Sequence, residues 1–221
     1  MCHLIRQRLD EGIHPLSGHV EADETYVGGK AKNMHAKKRR EKFKGDKGGR
    51  GTVAKTPVFG VVERGGRKAN AIVVPDTKAK TLLAWIQRIV KLGSYISTDE
   101  WAAYNKLDEL GYTRGVVKHS QGEYMTEADD GKGGVIAYGT NTMEGFWGII
   151  KRAIHGVFHH VSDKYLQNYL SEYLFRYNHR RDETPMFRLF MVRLLRPLVL
   201  PVSPVPLLPS LKEPTPSQEP P

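Results

Sequence analysis

"GHVEADETYVGG", residues 18–29, decides how the rest of the chain is read. Val20, Ala22, Glu24 and Tyr26 fall on one side of an alternating run. Glu21, Asp23, Thr25 and Val27 fall on the other, and Gly28-Gly29 follow. Period-two alternation closed by two glycines predicts a strand running into a turn. Acids stand on both sides among residues of core composition. Carboxylates are costly to bury without partners, so this strand looks for partners elsewhere in the chain.

Further along, "TPVFGVVERGGRKANAIVVP" (56–75) predicts a hairpin, two β-branched runs about Gly65-Gly66. "KAKTLLAWIQRIVKLG" (78–93) has helical spacing at Leu82, Leu83, Ile86, Ile89 and Val90, with Gly93 as a stop. "SYISTDE" (94–100) predicts a short strand ending in acids, "WAAYNKLDELG" (101–111) a short helix, and "RGVVKHS" (114–120) another strand. Residues 120–139 are polar and Gly-rich and read as a loop. "NTMEGFWGIIKR" (141–152) opens a helix capped by Asn141 or Thr142 and running to about His155. Ser162 caps the next, to about His179. Residues 3–12 read as the end of a helix and 184–195 as a last one. Tyr165, Tyr169, Tyr173 and Tyr177 recur at i+4 beside Leu166, Leu170 and Leu174, a packed helix face rather than a base-stacking one. The order predicts an α/β fold, a mixed sheet with helices packed on it.

The 221 residues, 39% of them hydrophobic, suffice for one core with appendages. A single cysteine, Cys2, excludes an intrachain disulfide and a multi-cysteine zinc ribbon. No run of about 18 apolar residues is present, so no membrane span is expected. The first residues lack the apolar stretch of a signal peptide, and a cytoplasmic protein is expected. From Pro197 onward stand nine of the thirteen prolines, so 196–221 read as a Pro-rich, disordered tail.

Net charge is +10 and the pI about 9.6, an excess that suits a polyanionic partner such as nucleic acid. Most of it lies in one Gly-rich segment. Residues 30–55 hold eleven basic side chains, among them Lys37, Lys38, Arg39 and Arg40, against two acids. That segment reads as a mobile basic loop.

Three acids occupy comparable places. Asp23 lies in the first strand, Asp99 directly after "YIST", and Glu144 in the first turn of a later helix. Taken singly, each is equally a cap or a solvated charge. Converging at one sheet edge, they would repel each other unless a cation joined them. Hard divalent cations take oxygen ligands, and two ions roughly 3.5–4 Å apart can clamp both oxygens of an in-line phosphoryl displacement. Glu144 and Lys151 are seven residues apart, about 20° short of two helical turns, so both leave one face about 10 Å apart. That gap is too long for a salt bridge at i+4 spacing. It suits a carboxylate on a metal and an ammonium on the next phosphate; equally, a basic helix end complements the dipole. Asn141 lies one turn before Glu144 on the same face.

"VEADETYVGGK", "STDEWAAYNKL", "NTMEGFWGIIKRAIHG" and "YLQNYLSEYLFRYNHRR" together resemble bacterial insertion-sequence DDE transposases of the ISXO-like branch. The resemblance spans roughly residues 18–190. It implies a ribonuclease-H-like, retroviral-integrase-type catalytic domain over 18–195: a mixed five-stranded sheet flanked by helices, with extra C-terminal helices. It implies that Asp23, Asp99 and Glu144 form the triad holding two Mg²⁺ (or Mn²⁺) ions. Lys151 matches the basic residue seven positions after the third acid, and Asn141 an asparagine just before it. "KHSQGEYM" places His119 beside the site; as a bare histidine it is a structural or surface residue. One departure is Gly139, where the family commonly has histidine. Another is the N-terminal side: relatives carry a zinc-ribbon or helix-turn-helix region before the core, so residues 1–17 are expected to be its remnant.

The activity so implied is metal-dependent cleavage at a transposon end, followed by attack of the freed 3′-hydroxyl on target DNA. Lys151, Arg152, Asn141 and the basic residues of 30–55 would grip double-stranded DNA, with the protein a homo-oligomer on paired ends, nucleoid-associated in a bacterial cytoplasm. Two alternatives stay open: a truncated DNA-binding remnant without catalysis, and a ribonuclease-H-like nuclease without transposition.

Overall fold

A computed structural model describes residues 2–29, 36, 37, 40, 55–65, 68–118, 125–129 and 134–195. The opening strand forms as read: β1 spans His19–Val27. β2 (Thr56–Glu63) and β3 (Ala69–Val73) make the hairpin, with Gly65 at φ 82°. That left-handed conformation costs glycine little. β4 is Tyr95–Thr98 and β5 Thr113–Val116. The five strands lie in the order β3-β2-β1-β4-β5. β1 runs antiparallel to β2, and β2 to β3, whereas β1–β4 and β4–β5 are parallel. This is the mixed, helix-flanked α/β sheet that the ribonuclease-H-like reading requires.

The helices are α1 (Cys2–Arg8), α2 (Ala79–Ile89), α3 (Asn141–Arg152), α4 (Leu166–His179) and α5 (Met186–Leu195). The alternation of the strands sorts the core into two layers. On one face Val20, Ala22, Phe59, Val61 and Ile96 pack against Leu82, Ile86 and Ile89 of α2. On the other, Val58, Val62, Ala69 and Ala71 pack against Met143, Phe146, Trp147 and Ile150 of α3 and Leu166 and Leu170 of α4. Gly60 permits the second contact. A Cβ there would lie 2.1 Å from Met143 Cε and 2.6 Å from Trp147. The tyrosine ladder of α4 is a packing surface: Tyr169, Tyr173 and Tyr177 lie against this core. The same helix closes the sheet edge. Gln167 Oε1 accepts from Val73 N (2.9 Å), and Asn178 Oδ1 accepts from Ala69 N (2.8 Å). Edge amides satisfied in this way cannot template another strand.

Several expectations need correction. Residues 120–139 contain a hairpin, β6 (Met125–Asp129) and β7 (Val135–Gly139), not only a loop. Its Tyr138 ring covers Gly115 of β5, where a Cβ would come within 1.7 Å of it. Residues 101–111 form two 3₁₀ turns, Ala102–Tyr104 and Asp108–Leu110, instead of one helix. β5 stops at Val116, short of 120. The helix predicted to His155 is α-helical only to Arg152, and Ala153–Val157 widen into a π turn. Its N-cap is Thr140, one residue before the expected Asn141 or Thr142. Phe146, Trp147 and Ile150 of α3 are buried, whereas its Ile149 is 41% exposed. Of the basic segment, Ala36, Lys37 and Arg40 have helical backbone, which departs from a loop; Lys38 and Arg39 lie outside the described residues, as do His119 and the tail. Among the described residues no helix is long and apolar enough to cross a membrane.

Candidate active site

β1 and β4 pair only over His19–Glu21 and Tyr95–Ser97. Beyond that register the parallel strands part, and the crevice outside their carboxyl ends is where open α/β sheets bind ligands. Asp23 and Asp99 stand at this parting, and both are half-buried. Burial pushes the Asp23 carboxyl up to about 6, and the charge of Asp99 pushes the same way. A bond from Trp147, the backbone at Glu24 and the charge of Lys151 oppose the shift. Trp147 Nε1 donates to Asp23 Oδ2 at 3.0 Å. Asp99 Oδ1 accepts from its own loop, Trp101 N, at 3.0 Å.

On the opposite face of β1, Glu24 is pushed to about 8 by burial and by the charges of Asp23 and Asp99, against a contact from Tyr104. Tyr104 is fully buried, and burial beside these acids drives its phenol well above the usual range. Crowding of these acids therefore favours their protonated forms, and Trp147 and the Lys151 charge relieve it only in part at Asp23.

The helix that carries Glu144 is tied to the same strand. Glu21 is buried, and its carboxylate accepts Met143 N at 2.8 Å. Burial raises the Glu21 pKa, while the bonds from Met143 and Thr142 hold it back. No side-chain bond caps α3 at Thr140; a strand carboxylate takes the otherwise unpaired amides at its positive end instead. Glu21 and Asp23 share one face of β1. One fixes the helix start, and the other meets Trp147 a turn further on.

Glu144 and Lys151 keep their seven-residue interval within α3, and both are exposed, as are Asn141 and Arg152. Thr140 Oγ1 approaches Glu144 Oε1 at 3.5 Å. The charges of Asp99 and Lys151 thus both act on Asp23. Among the described residues no three His, Cys, Asp or Glu side chains gather closely enough to hold a metal. Lys37 and Arg40 are exposed.

The donor chemistry nevertheless fits a hard divalent cation. Two carboxylates in mutual repulsion offer oxygen ligands, and Mg²⁺ uses one or two carboxylates and fills its shell with water or phosphate oxygens. Burial and, after it, the Asp99 charge hold Asp23 near 6, and a cation would offset both.

Residues 15–178 match the family model described as the ISXO2-like transposase domain. The chain belongs to this transposase family. No curated protein sequence matches it. Among solved structures it is similar to the catalytic core domain of BIV integrase, at 15% identity and TM-score 0.44, covering 80% of this chain and 95% of that one. It is also similar to the HTLV-2 integrase catalytic core domain in complex with magnesium, at 14% identity and TM-score 0.45, covering 79% and 93%. A chain of the simian T-cell lymphotropic virus intasome matches at 15% identity and TM-score 0.44, over 88% of this chain and 60% of that one.

Glu21, Trp147, Glu24 and Tyr104 stand out only in the folded chain. For Glu21 a signal exists: it occupies an inward position of β1 two residues before Asp23, and an inward carboxylate requires donors. Trp147 reads as an apolar anchor, which it also is. Nothing in the sequence brings its indole N–H to a carboxylate 124 residues away.

Proposed function

We propose that this protein is the transposase of an insertion sequence, cutting DNA at the element's ends and joining them to target DNA with divalent cations, Mg²⁺ or Mn²⁺. The observation that carries the reading is the pair Asp23 and Asp99, held in repulsion at the parting of β1 and β4 with the Lys151 charge acting on the same carboxyl. Asp23 and Asp99 would hold the metal, with Glu144 as the third acid and two ions as the full complement. Bound there, the ions supply charge stabilisation at a phosphodiester and lower the pKa of an attacking water.

The chain's own residues do the rest. Trp147 and the backbone at Glu24 fix the Asp23 carboxylate, which would present its remaining lone pairs to a ligand. Lys151 and Arg152, at the exposed end of α3, bind backbone phosphates, joined by Asn141, Lys37, Lys38, Arg39 and Arg40. On the resemblance of "KHSQGEYM" to the family, His119 is assigned a supporting role at the site. Catalysis falls to residues 18–195, and the protein works as a homo-oligomer on paired DNA ends. No covalent protein–DNA intermediate is required.

The test is cleavage and strand transfer on DNA carrying the element's ends, with wild-type protein and Asp23→Ala, Asp99→Ala and Glu144→Ala variants. Each variant is expected to lose activity by at least about 10²–10³-fold, the scale of removing a main electrostatic contributor, and to keep DNA binding. Metal-dependent nicking that survives Asp23→Ala sinks the assignment. Cleavage without joining of a pre-cut end identifies a nuclease. The exposed position of Glu144 favours a second reading, DNA binding without catalysis. Wild-type protein that binds DNA yet cuts none in Mg²⁺ or Mn²⁺ would establish it.

A further inference from the structure

We infer that Arg114 is the positioning residue of Asp99. The inference rests on the reading of Asp99 as a metal-holding acid. Arg114 stands on β5 opposite Ile96 of β4, and its side chain runs to the place where β4 leaves the sheet. Nε donates to Thr98 Oγ1 at 2.9 Å. One terminal nitrogen donates to the Asp99 carbonyl at 3.0 Å and to the Trp101 carbonyl at 3.3 Å. The other donates to Asn105 Oδ1 at 2.7 Å. Thr98 Oγ1 in turn donates to the Asp99 carbonyl at 2.9 Å. Below the guanidinium lies the Tyr104 ring, 5.9 Å to its centre.

Every one of these acceptors is a neutral oxygen, so the directed bonds shape the chain, while the charges of Asp108 and Asp99 act on the guanidinium from nearby. β4 ends at Thr98, and the next residues have left the sheet ladder. Asp99 therefore lacks the ladder restraint that β1 gives Asp23, and drift of the turn after β4 would move its carboxylate. One planar fork gathers residues 98, 99, 101 and 105 into a rigid bracket that resists this drift. Lysine, with a single ammonium on a flexible stem, cannot reproduce four directed bonds. Partners behind a metal-holding side chain are commonly worth 10–100-fold in metal affinity.

The experiment compares wild-type protein with Arg114→Lys, Arg114→Ala and Asp99→Asn. Mn²⁺ binding to the free protein is read by the loss of the aqueous Mn²⁺ resonance. Mg²⁺ dependence of DNA cleavage and thermal melting are followed in parallel. Both Arg114 variants are expected to bind Mn²⁺ about 10-fold or more weakly. They are expected to need correspondingly more Mg²⁺ for half-maximal cleavage, with kcat at saturating metal less affected. Methylguanidinium is expected to restore Mn²⁺ affinity to Arg114→Ala and not to Arg114→Lys. Should Arg114→Ala fail to fold, Arg114→Lys keeps the charge and chain length and carries the comparison. Folded Arg114→Lys that binds Mn²⁺ with wild-type affinity overturns the inference alone. Wild-type protein that binds no Mn²⁺ with or without DNA overturns the metal reading and this inference with it. An Asp99→Asn variant with undiminished affinity does the same.

Discussion

The candidate site is built in two halves that are held in opposite ways. The strand half, Asp23 and Asp99, is half-buried and electrostatically loaded, with Asp23 driven up to about 6. The helix half, Glu144 and Lys151, stands in solvent on a helix whose start is fixed by the buried Glu21. The first half gives up folding stability to hold its charges together. The second gives up little, because exposed charges keep their water. Preorganisation is thus concentrated where like charges must be held near one another, and α3 borrows its placement from the same strand. Bonds from Glu21 to the Met143 amide and to Thr142, and from Trp147 to Asp23, link the halves.

The largest expected effect comes from detaching the helix half. Glu21→Ala leaves buried amides without an acceptor and opens a cavity, so a loss of about 3 kcal/mol is expected from urea melts. Cleavage should fall with it. A variant as stable as wild type would show that α3 holds its place without the strand, and the comparison would break.

Changing the strand half should move stability the other way. A raised carboxyl pKa means that ionisation costs stability as pH rises from 3.8 through about 6. Asp23→Asn is therefore expected to be more stable than wild type at pH 7, by about 2 kcal/mol. The gain should disappear near pH 3, where Asp23 is protonated in both folded and unfolded chains. The same variant is expected to be inactive. Equal stability at pH 7 would mean that the strand half carries no such load.

A smaller effect isolates the second link. Trp147→Phe keeps most of the apolar contact with the core and removes the donor to Asp23 Oδ2. About 1 kcal/mol of stability should be lost. In metal-free protein Asp23 should titrate higher, by up to about one unit, read from its carboxyl carbon resonance. An unmoved titration would assign the shift to burial and Asp99 alone.

How much of this was legible in the sequence follows the range of each interaction. The alternation in 18–29 places Asp23 and Glu24 on the correct faces of β1, and "YIST" places Asp99 at a strand end, because period and composition act locally. The 125–139 hairpin escapes because its strands are largely solvated, and only Tyr138 and Gly139 are buried among the described side chains. Apolar alternation therefore has little to mark there. The N-cap of α3 escapes for another reason. Its amides are satisfied by Glu21, 122 residues earlier, so no local capping residue is required. Arg114 has no sequence signal, since its role depends on where β4 ends. The acids are written into local patterns; the residues that hold them in place belong to the topology.

The smallest effect serves as a control far from both halves. Glu11 Oε1 meets His179 Nε2 at 2.8 Å, and Oε2 meets His14 Nε2 at 3.3 Å, joining the segment after α1 to the end of α4. Burial pushes the Glu11 carboxyl up, but the two histidines outweigh it and set it at about 2. A depressed carboxyl contributes stability that is present above its unfolded value of 4.5 and lost as pH falls through about 2. The group is only partly shielded from water, so screening reduces the contribution to about 1 kcal/mol or less. Glu11→Gln should cost that much in urea melts at pH 7 and nothing near pH 2. It should leave the Asp23 titration unmoved, because no bond joins this cluster to the parting of β1 and β4 among the described residues. A shift at Asp23 would show that the two ends of the sheet are coupled, and the division into a loaded strand half and a solvated helix half would then be too local.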